Sequence, residues 1–222
     1  NLFTNIKIQV NPKTYVKDPE TSTLGKKIIQ HSILLIDEIG FEEFTFKKLG
    51  EKIGSNESSV YRYFENKHKL LVYLSSWYWA WMEYRLVFST ANIENKLEKL
   101  KKAIGIVTET IQDDSSTEHV DEAILNKIII EEVTKALHDR HVDKENKEGF
   151  FLIYKQVNYR VEKMVEEVNP DYPYAKSLVS SIIEGSLHQH FLKNHLKTIT
   201  NCNDEINPTS FYTHLVENLL KK

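Results

Sequence analysis

The 222 residues include 41% hydrophobic and 27% charged side chains, a balance that predicts a globular protein with a buried core. No apolar stretch approaches the roughly 20 residues of a membrane-spanning helix, and residues 1–10 lack the cationic start and apolar run of a signal peptide, so we expect a cytoplasmic protein with no membrane partner. The net charge is −3, but residues 1–75 carry +2 (11 Lys/Arg, 9 Asp/Glu) and residues 76–222 carry −5 (18 and 23), the polarity expected if the front of the chain meets phosphates.

Glycine and proline are scarce, at 7 and 5 residues, and apolar side chains recur every three or four positions between them. This pattern predicts an all-α protein and leaves too few turns for an all-β chain. The first helix is predicted over residues 23–39, with Gly40 as its left-handed C-cap. Two short helices follow, because Thr45 can cap one that stops at Gly54 and Asn56 can cap another that reaches Phe64.

Longer helices are predicted in the rest of the chain. Asn66 caps a fourth helix that runs from Lys67 to Phe88. The remaining predicted helices span residues 92–111, 120–137, 144–168, 173–196 and 208–220. The fold is therefore predicted as an N-terminal three-helix bundle that a long helix joins to a C-terminal helical domain.

The most informative stretch lies between residues 40 and 67. It contains Gly40-Phe41-Glu42-Glu43-Phe44-Thr45, Leu49, Ile53-Gly54 and Asn56-Glu57-Ser58-Ser59-Val60-Tyr61-Arg62-Tyr63-Phe64-Glu65-Asn66-Lys67. A recognition helix needs a small-residue turn before it, an apolar side that fixes it, and a polar side that can approach bases and phosphates. The apolar side is supplied by Val60, Tyr63 and Phe64, and the polar one by Ser58, Ser59, Tyr61 and Arg62. The stretch predicts a helix-turn-helix.

This segment resembles the DNA-binding module of the TetR/AcrR family of one-component transcriptional regulators, over residues 23–71. The shared pattern is a glycine-aromatic-threonine entry, a tight glycine turn, Tyr-x-Tyr/His-Phe and then Asn/Ser-Lys. The resemblance implies phosphate contacts by Thr45, Tyr61 and Lys67, and a major-groove position for Glu57, Ser58, Ser59 and Tyr61. Arg62 offers a guanidinium on the same helix, and free N–H groups at the start of the fourth helix can join Lys67 on one phosphate.

One residue departs from the family pattern. The family usually has a basic or neutral polar residue where Glu57 stands, and Glu57 together with Glu65 weakens the attraction of phosphates. A carboxylate can also accept from cytosine N4, so Glu57 is predicted to affect operator choice. The alternative for the whole segment is a plain three-helix bundle, in which Thr45 only caps and Lys67 is only solvated.

The resemblance also implies a division of the chain into three parts. Residues 1–21 form an N-terminal arm, residues 22–70 the DNA-binding domain, and residues 71–222 a domain for effector binding and dimerisation. The arm carries three lysines, Lys7, Lys13 and Lys17, that could follow a minor groove. Acidic residues dilute this charge, and the alternation of Ile6, Ile8 and Val10 is more typical of a packed or frayed terminus.

The fourth helix is unusually rich in aromatic residues. Four of them share one face at spacings of four, three and four residues: Trp77, Trp81, Tyr84 and Phe88. The resemblance implies that this helix borders a ligand cavity, so the stripe is predicted to line a pocket for a small apolar or aromatic effector. A second group on a later helix is predicted for the opposite wall: Phe150, Phe151, Tyr154 and Tyr159, with Arg160. Plain packing in a helical core is the alternative for each of these residues.

The last two predicted helices match the dimerisation helices of the family. Their apolar residues are Leu178, Ile182, Ile183 and Leu187 on one, and Phe211, Leu215, Leu219 and Leu220 on the other. Two copies would build a four-helix interface and give a homodimer. On the first of these helices His188 and His195 are seven residues apart, whereas metal-binding helices use spacings of three or four, so no metal site is predicted.

The sequence therefore predicts a repressor that leaves a pseudo-palindromic DNA operator when a small effector binds. The alternative is an adaptor or regulator of the same fold that has no small-molecule effector. An enzyme is the rival class, but GxSxG, GxGxxG, Walker and HExxH motifs are absent, so no catalytic residue and no cofactor is predicted. The single cysteine, Cys202, excludes an internal disulfide.

Overall fold

The computed structural model describes residues 8–111, 117–133 and 142–220. All regular structure within these residues is helical, which confirms the all-α prediction. The α-helices are α1 (Thr23–Glu43), α2 (Phe46–Lys52), α3 (Glu57–Tyr61), α4 (Lys67–Thr90), α5 (Lys96–Thr108), α6 (Glu122–Ile128), α7 (Val142–Lys147), α8 (Leu152–Val168), α9 (Ala175–His195) and α10 (Pro208–Leu219). None of the described helices combines the length and the hydropathy needed to cross a membrane.

The chain divides into two compact units. The first contains the residues up to Ala80 together with Ile111–Leu152, and the second contains Trp81–Thr110 together with the residues from Ile153 onward. Helix α4 contributes its first turns to the first unit and its last turns to the second. The three helices that precede α4 all belong to the first unit.

The core of the first unit is built from the apolar faces of α1 to α4. Its members with almost no exposed surface include Ile28, Ile29, Ile33, Ile36, Leu49, Val60, Phe64, Leu70 and Leu74. Burying each such side chain contributes about 1.5–3 kcal/mol. The predicted apolar stripes of these helices thus face a common core.

Residues 8–22 are packed on this bundle. Two single 3-10 turns occur here, each capped by an acidic or amide side chain, and Ile8 and Thr14 are buried. The backbone N–H of Val16 donates to the carbonyl of Tyr63 (2.8 Å), and the hydroxyls of Ser22 and Tyr63 lie 2.8 Å apart. Lys7, one of the three lysines of the predicted N-terminal arm, lies outside the described residues.

Two predicted helix boundaries are wrong for local reasons. The fifth helix was expected to begin at Asn92, but Asn95 is its cap, because Asn95 Oδ1 accepts from two consecutive backbone N–H groups, at 3.0 and 3.1 Å. The long helix expected over residues 144–168 is divided into α7 and α8. Gly149 has φ 85°, and the N–H of Phe150 bonds the carbonyl of Glu145, which is the Schellman ending of a helix.

The helix expected over residues 120–137 is also interrupted. Helix α6 ends at Ile128 and a π-helical turn, Ile129–Val133, follows it. The remaining residues of that prediction, 134–137, lie outside the described part of the chain.

The second unit is a bundle in which α9 and α10 both contact α5. Its fully buried side chains include Leu100, Ile104, Val157, Val161, Val165, Ile182, Ile183 and Val216. A buried histidine links two of these helices: His190 of α9 is 5% exposed and donates from Nε2 to the carbonyl of Thr108 on α5 (2.7 Å). The hydroxyl of Thr108 in turn donates to that of Thr209 at the start of α10 (3.0 Å).

His190 is expected to make the stability of the protein depend on pH. Burial lowers the pKa of His190 below its ordinary value, so the unfolded chain binds this proton more readily than the folded one. The free energy of unfolding should therefore decrease as the pH falls below about 6.5. Urea denaturation of the wild-type protein at pH 7.5 and pH 5.5 measures this decrease.

The substitution His190→Gln keeps a donor for the carbonyl of Thr108 but removes the titrating group, so this variant should lose less stability between the two pH values than the wild type. His188→Gln is the control, because His188 lies on the exposed side of the same helix. Equal losses in the wild type and His190→Gln would contradict the assignment.

Candidate nucleic-acid interface

The turn between α2 and α3 is fixed by two glycines. Gly54 has φ 68°, and it closes α2 with a Schellman motif, in which Ser55 N–H bonds the carbonyl of Gly50 (2.9 Å) and Gly54 N–H bonds that of Glu51 (3.3 Å). A Cβ at Gly50 would lie 3.0 Å from the carbonyl carbon of Asn56. A side chain at position 50 would therefore push the beginning of α3 away from α2 by a few tenths of an ångström.

The start of α3 is organised around one side chain, Asn56. Its Oδ1 accepts from the backbone N–H of Ser59 (2.9 Å) and from the hydroxyls of Ser58 (2.7 Å) and Ser59 (2.8 Å). The Ser59 hydroxyl also accepts from Nη2 of Arg62 (3.2 Å). These bonds link the cap of the helix to the guanidinium at its other end.

Most of the side chains predicted to contact DNA are exposed to solvent. The exposed side chains are those of Thr45, Glu57, Ser58, Tyr61 and Arg62. The ring of Tyr61 packs edge-on against buried Phe46, with centroids 5.0 Å apart, and 48% of Tyr61 remains exposed. Ser59 differs from the others because it is buried, with only 4% of its surface exposed. Its side chain holds Asn56 and Arg62 in place.

Lys67 is bound to the chain itself. Its Nζ donates to the carbonyls of Phe41 (3.1 Å) and Glu42 (2.9 Å) and lies 5.0 Å from the centre of the Phe41 ring. These carbonyls directly follow Gly40, where the helical conformation of α1 is interrupted at φ 77°. An ammonium has three N–H donors, so one remains for another acceptor. At the same helix start, Asn66 Oδ1 accepts from the N–H of Lys69 (2.9 Å).

Helix α2 adds a cation that the motif did not single out. Lys48 is paired with Glu43 at 3.3 Å and Lys52 is paired with Glu38, so the carboxylates neutralise these two lysines. Lys47 is exposed and has no ion-pair partner among the described residues. The signal in the sequence was its position two residues after the Thr45 cap, on the first turn of the helix before the recognition helix.

The aromatic residues predicted to line an effector pocket fall in both units. Trp77 and Phe151 belong to the first unit, and Trp81, Tyr84, Phe88 and Tyr154 belong to the second. Trp77 and Trp81 are buried, at 1% and 4% exposure, whereas Phe88 is 61% exposed and stacks on Tyr84 with centroids 6.1 Å apart. The hydroxyl of Tyr154 donates to a carboxylate oxygen of Glu184.

The two helices predicted to form a dimer interface differ in what they expose. The apolar residues predicted on α9 are buried within the chain: Leu178, Ile182, Ile183 and Leu187. On α10 a stripe remains open to solvent, with Phe211, Leu215 and Leu219 at 44%, 37% and 42% exposure, while Leu220 is buried. The exposed side of α9 carries a row of rings. The ring centroid of Phe191 lies 6.4 Å from that of His188 and 4.7 Å from that of His195.

No group of His, Cys, Asp or Glu side chains in the part of the chain that the structure describes is arranged to hold a metal ion.

Comparisons with known proteins agree with this geometry. Residues 28–74 match the model of a family described as bacterial regulatory proteins, tetR family. No curated protein sequence matches the chain.

Three solved structures share the fold. The superantigen PfiT has a TM-score of 0.59 at 16% identity and covers 91% of this chain and 97% of its own. The fatty acid degradation regulator FadR from Bacillus halodurans has a TM-score of 0.57 at 14% identity and covers 96% of both chains. AibR, in complex with isovaleryl coenzyme A and operator DNA, has a TM-score of 0.53 at 14% identity and covers 88% of this chain and 96% of its own. At such identities the likeness concerns the fold alone.

Proposed function

Since residues 28–74 match the tetR family of bacterial regulatory proteins, we propose that this chain is a dimeric repressor that leaves its DNA operator when a small molecule binds. The observation that carries the proposal is the helix pair α2 and α3. The tight turn at Gly54 fixes the angle between them, and the outer surface of α3 presents hydroxyl, carboxylate and guanidinium groups to solvent. A recognition helix requires this combination.

The contacts to DNA are assigned by chemistry. Thr45, Lys47 and Tyr61 present donors at the exposed surface of α2 and α3, and they bind phosphates. Glu57 and Ser58 occupy the first turn of α3, the end of a recognition helix that contacts base edges in helix-turn-helix proteins. Arg62, held by Ser59, binds either a phosphate or a guanine edge.

Lys67 contributes in a second way. Its two bonds to the carbonyls of Phe41 and Glu42 tie the start of α4 to the corner between α1 and α2. Its third donor is left for the phosphate that the family pattern assigns to this lysine. A single side chain then joins DNA contact to the position of α4.

Two recognition helices are needed for a pseudo-palindromic operator, and the exposed stripe of α10 supports pairing with a second copy. In such a dimer the half-sites are about 34–36 Å apart. The effector then favours a conformer in which α4 shifts, so that the two recognition helices no longer match this spacing, and the difference in its affinity for the two conformers supplies the coupling. AibR, which shares the fold, forms a complex with isovaleryl coenzyme A and operator DNA.

A gel-shift titration of the full chain against its own upstream DNA, at several salt concentrations, tests the DNA-binding function. The affinity is expected to fall as the salt concentration rises, because the lysines and arginines that bind phosphates release counterions. An adaptor of the same fold would give no shift at any salt concentration. If the protein shifts the DNA but no metabolite extract reverses the shift, DNA binding is supported and release from the operator by an effector is contradicted.

Glu57 is expected to select the base pair that it faces. Replacing it with glutamine should change the preferred base at one position in each half-site, because an amide favours adenine where a carboxylate accepts from cytosine. The expected discrimination is about 1–3 kcal/mol at that position. Selection of bound sequences from a random DNA pool, with wild type and Glu57→Gln in parallel, measures it.

Glu65→Gln is the matched control, since Glu65 is also exposed but lies beyond the end of α3. This variant should strengthen binding to all sequences alike by removing a repulsive charge. If Glu57→Gln also changes the affinity for every sequence by the same factor, Glu57 does not read a base.

A further inference from the structure

The second unit contains an open groove of about 520 Å³, a volume within the range of small-molecule sites. Residues from the end of α4, from α5 and from α8 line it, all within this unit. Among the aromatic residues that the sequence predicted for a pocket, Tyr159 belongs to its lining, whereas the aromatic stripe of α4 does not. The groove is therefore a separate candidate for a ligand.

One part of the groove is apolar. Leu86 and Met164 are buried beneath it, at 0% and 8% exposure. Val87 and Tyr159 also line it but keep 43% and 56% of their surface in contact with solvent. An occupant with a hydrocarbon part would remove this apolar surface from water, which stabilises the bound state.

The charged residues of the lining are mainly cationic. They include Lys99, Arg160 and Lys163, against one carboxylate, that of Glu167. The Nζ of Lys99 lies 3.9 Å from Glu167, too far for a direct hydrogen bond. Arg160 uses Nε to bond Glu83 (2.7 Å), and its terminal Nη groups have no hydrogen-bond partner among the residues that the structure describes.

Lys163 is already engaged. Its Nζ bonds Glu166 at 2.6 Å, and it lies 5.1 Å from the centre of the Tyr159 ring. Lys99 and the Nη groups of Arg160 are therefore the cationic donors of the lining that make no hydrogen bond with the described residues. A planar guanidinium and an ammonium that line the same groove can both bind a carboxylate or phosphate group.

We propose that this groove binds an amphipathic anion, with its hydrocarbon chain on Leu86, Val87 and Met164 and its charged group at Lys99 and Arg160. The chemistry required is a negatively charged oxygen group on an apolar chain, whether carboxylate or phosphate. Only the further role of this molecule as the effector rests on the proposed function. Binding to the groove stands independently of DNA.

Calorimetric titration of the full chain without DNA tests the proposal, with four probes of one chain length: decanoate, decyl phosphate, decanol and decyltrimethylammonium. At least one of the two anions should bind about tenfold more tightly than decanol, since charge-assisted hydrogen bonds are lost with the neutral head. The ranking of the two anions separates a carboxylate from a phosphate ligand. Equal or tighter binding of decanol or of the cation would overturn the proposal, and so would the absence of binding by both anions.

Two substitutions in the groove are expected to weaken binding of the anion and a third is expected to tighten it. Lys99→Gln and Arg160→Gln should each weaken binding of the preferred anion about fivefold, whereas Glu167→Gln should tighten it by removing the only carboxylate of the lining. Lys102→Gln is the control, because Lys102 is an exposed lysine of α5 that does not line the groove. Unchanged affinity in Lys99→Gln and Arg160→Gln would overturn the assignment of the charged end.

The experiments test ligand binding in the groove and the repressor function separately. If the anions do not bind but the protein still shifts DNA, the groove assignment is wrong and DNA binding stands. If an anion binds with the expected dependence on Lys99 and Arg160 but leaves operator affinity unchanged, the groove is a ligand site and the effector role is wrong.

Discussion

Replacing Phe211 and Leu215 by aspartate is expected to convert the protein to a monomer and to weaken its binding to a two-half-site operator by about 100-fold or more. These residues lie one turn apart on α10 and are 44% and 37% exposed. In a dimer they would be buried against the second copy, where unpaired carboxylates carry a large desolvation cost. Because they are exposed in the isolated chain, the fold of each monomer should be retained.

Sedimentation at micromolar concentration measures the oligomeric state, and gel shifts on DNA with one or two half-sites measure binding. Affinity for a single half-site should stay unchanged, whereas the gain from the second half-site should be lost. Leu152→Asp is the control, since Leu152 is 56% exposed but lies outside α10. A variant that remains dimeric, or a monomer that keeps full affinity for the double site, would contradict the proposed interface.

Replacing Gly50 by valine is expected to destabilise the DNA-binding bundle by about 3 kcal/mol. A Cβ at this position would lie 3.0 Å from the carbonyl carbon of Asn56 and 3.1 Å from the backbone nitrogen of Glu57. Both are backbone atoms of the turn into α3, so they cannot move aside as a flexible side chain would. The two methyl groups of valine increase the overlap, so the start of the recognition helix must shift.

Urea denaturation followed by circular dichroism measures the loss of stability, and gel shifts should show a parallel loss of operator binding. Gly105→Ala in α5 is the matched control, because a Cβ there meets only Thr209 Cγ2, at 4.0 Å. The control should be more stable than the wild type by about 0.5–1 kcal/mol, as expected for alanine in a helix interior. If Gly50→Val unfolds at the same urea concentration as the wild type, the close packing at Gly50 is not required.

The helix starts and stops were predictable where one residue satisfies nearby backbone groups. Thr45 and Asn56 were expected as caps, and both accept from an N–H three residues along the chain. The break at Gly149 was missed, because periodic apolar residues continue across it and a single glycine does not exclude a helix. Gly149 has a left-handed conformation (φ 85°) that ends α7 before the chain enters α8, and the spacing of apolar residues does not indicate this conformation.

The candidate site, too, was predictable from the sequence only in part. The residue types on α3 identified a recognition helix, but they did not tell which hydroxyl is exposed: Ser58 faces solvent, whereas its neighbour Ser59 is buried. Likewise, the groove of the second unit draws Leu86, Lys99 and Arg160 from three helices. The spacing of residues within one helix does not show which residues of different helices meet. The sequence therefore predicted a pocket lined by the aromatic stripe of α4.

By itself, the sequence determined the helical class, the caps of the short helices and the turn at Gly54, because each depends on interactions within about five residues. The tertiary structure decided what was distant in the chain. It joined Lys67 to the carbonyl of Phe41 and the hydroxyl of Tyr63 to that of Ser22, 26 and 41 residues apart. It also buried the apolar residues of α9 and left the stripe of α10 exposed, since the choice of packing partner belongs to the assembled helices and not to any one of them.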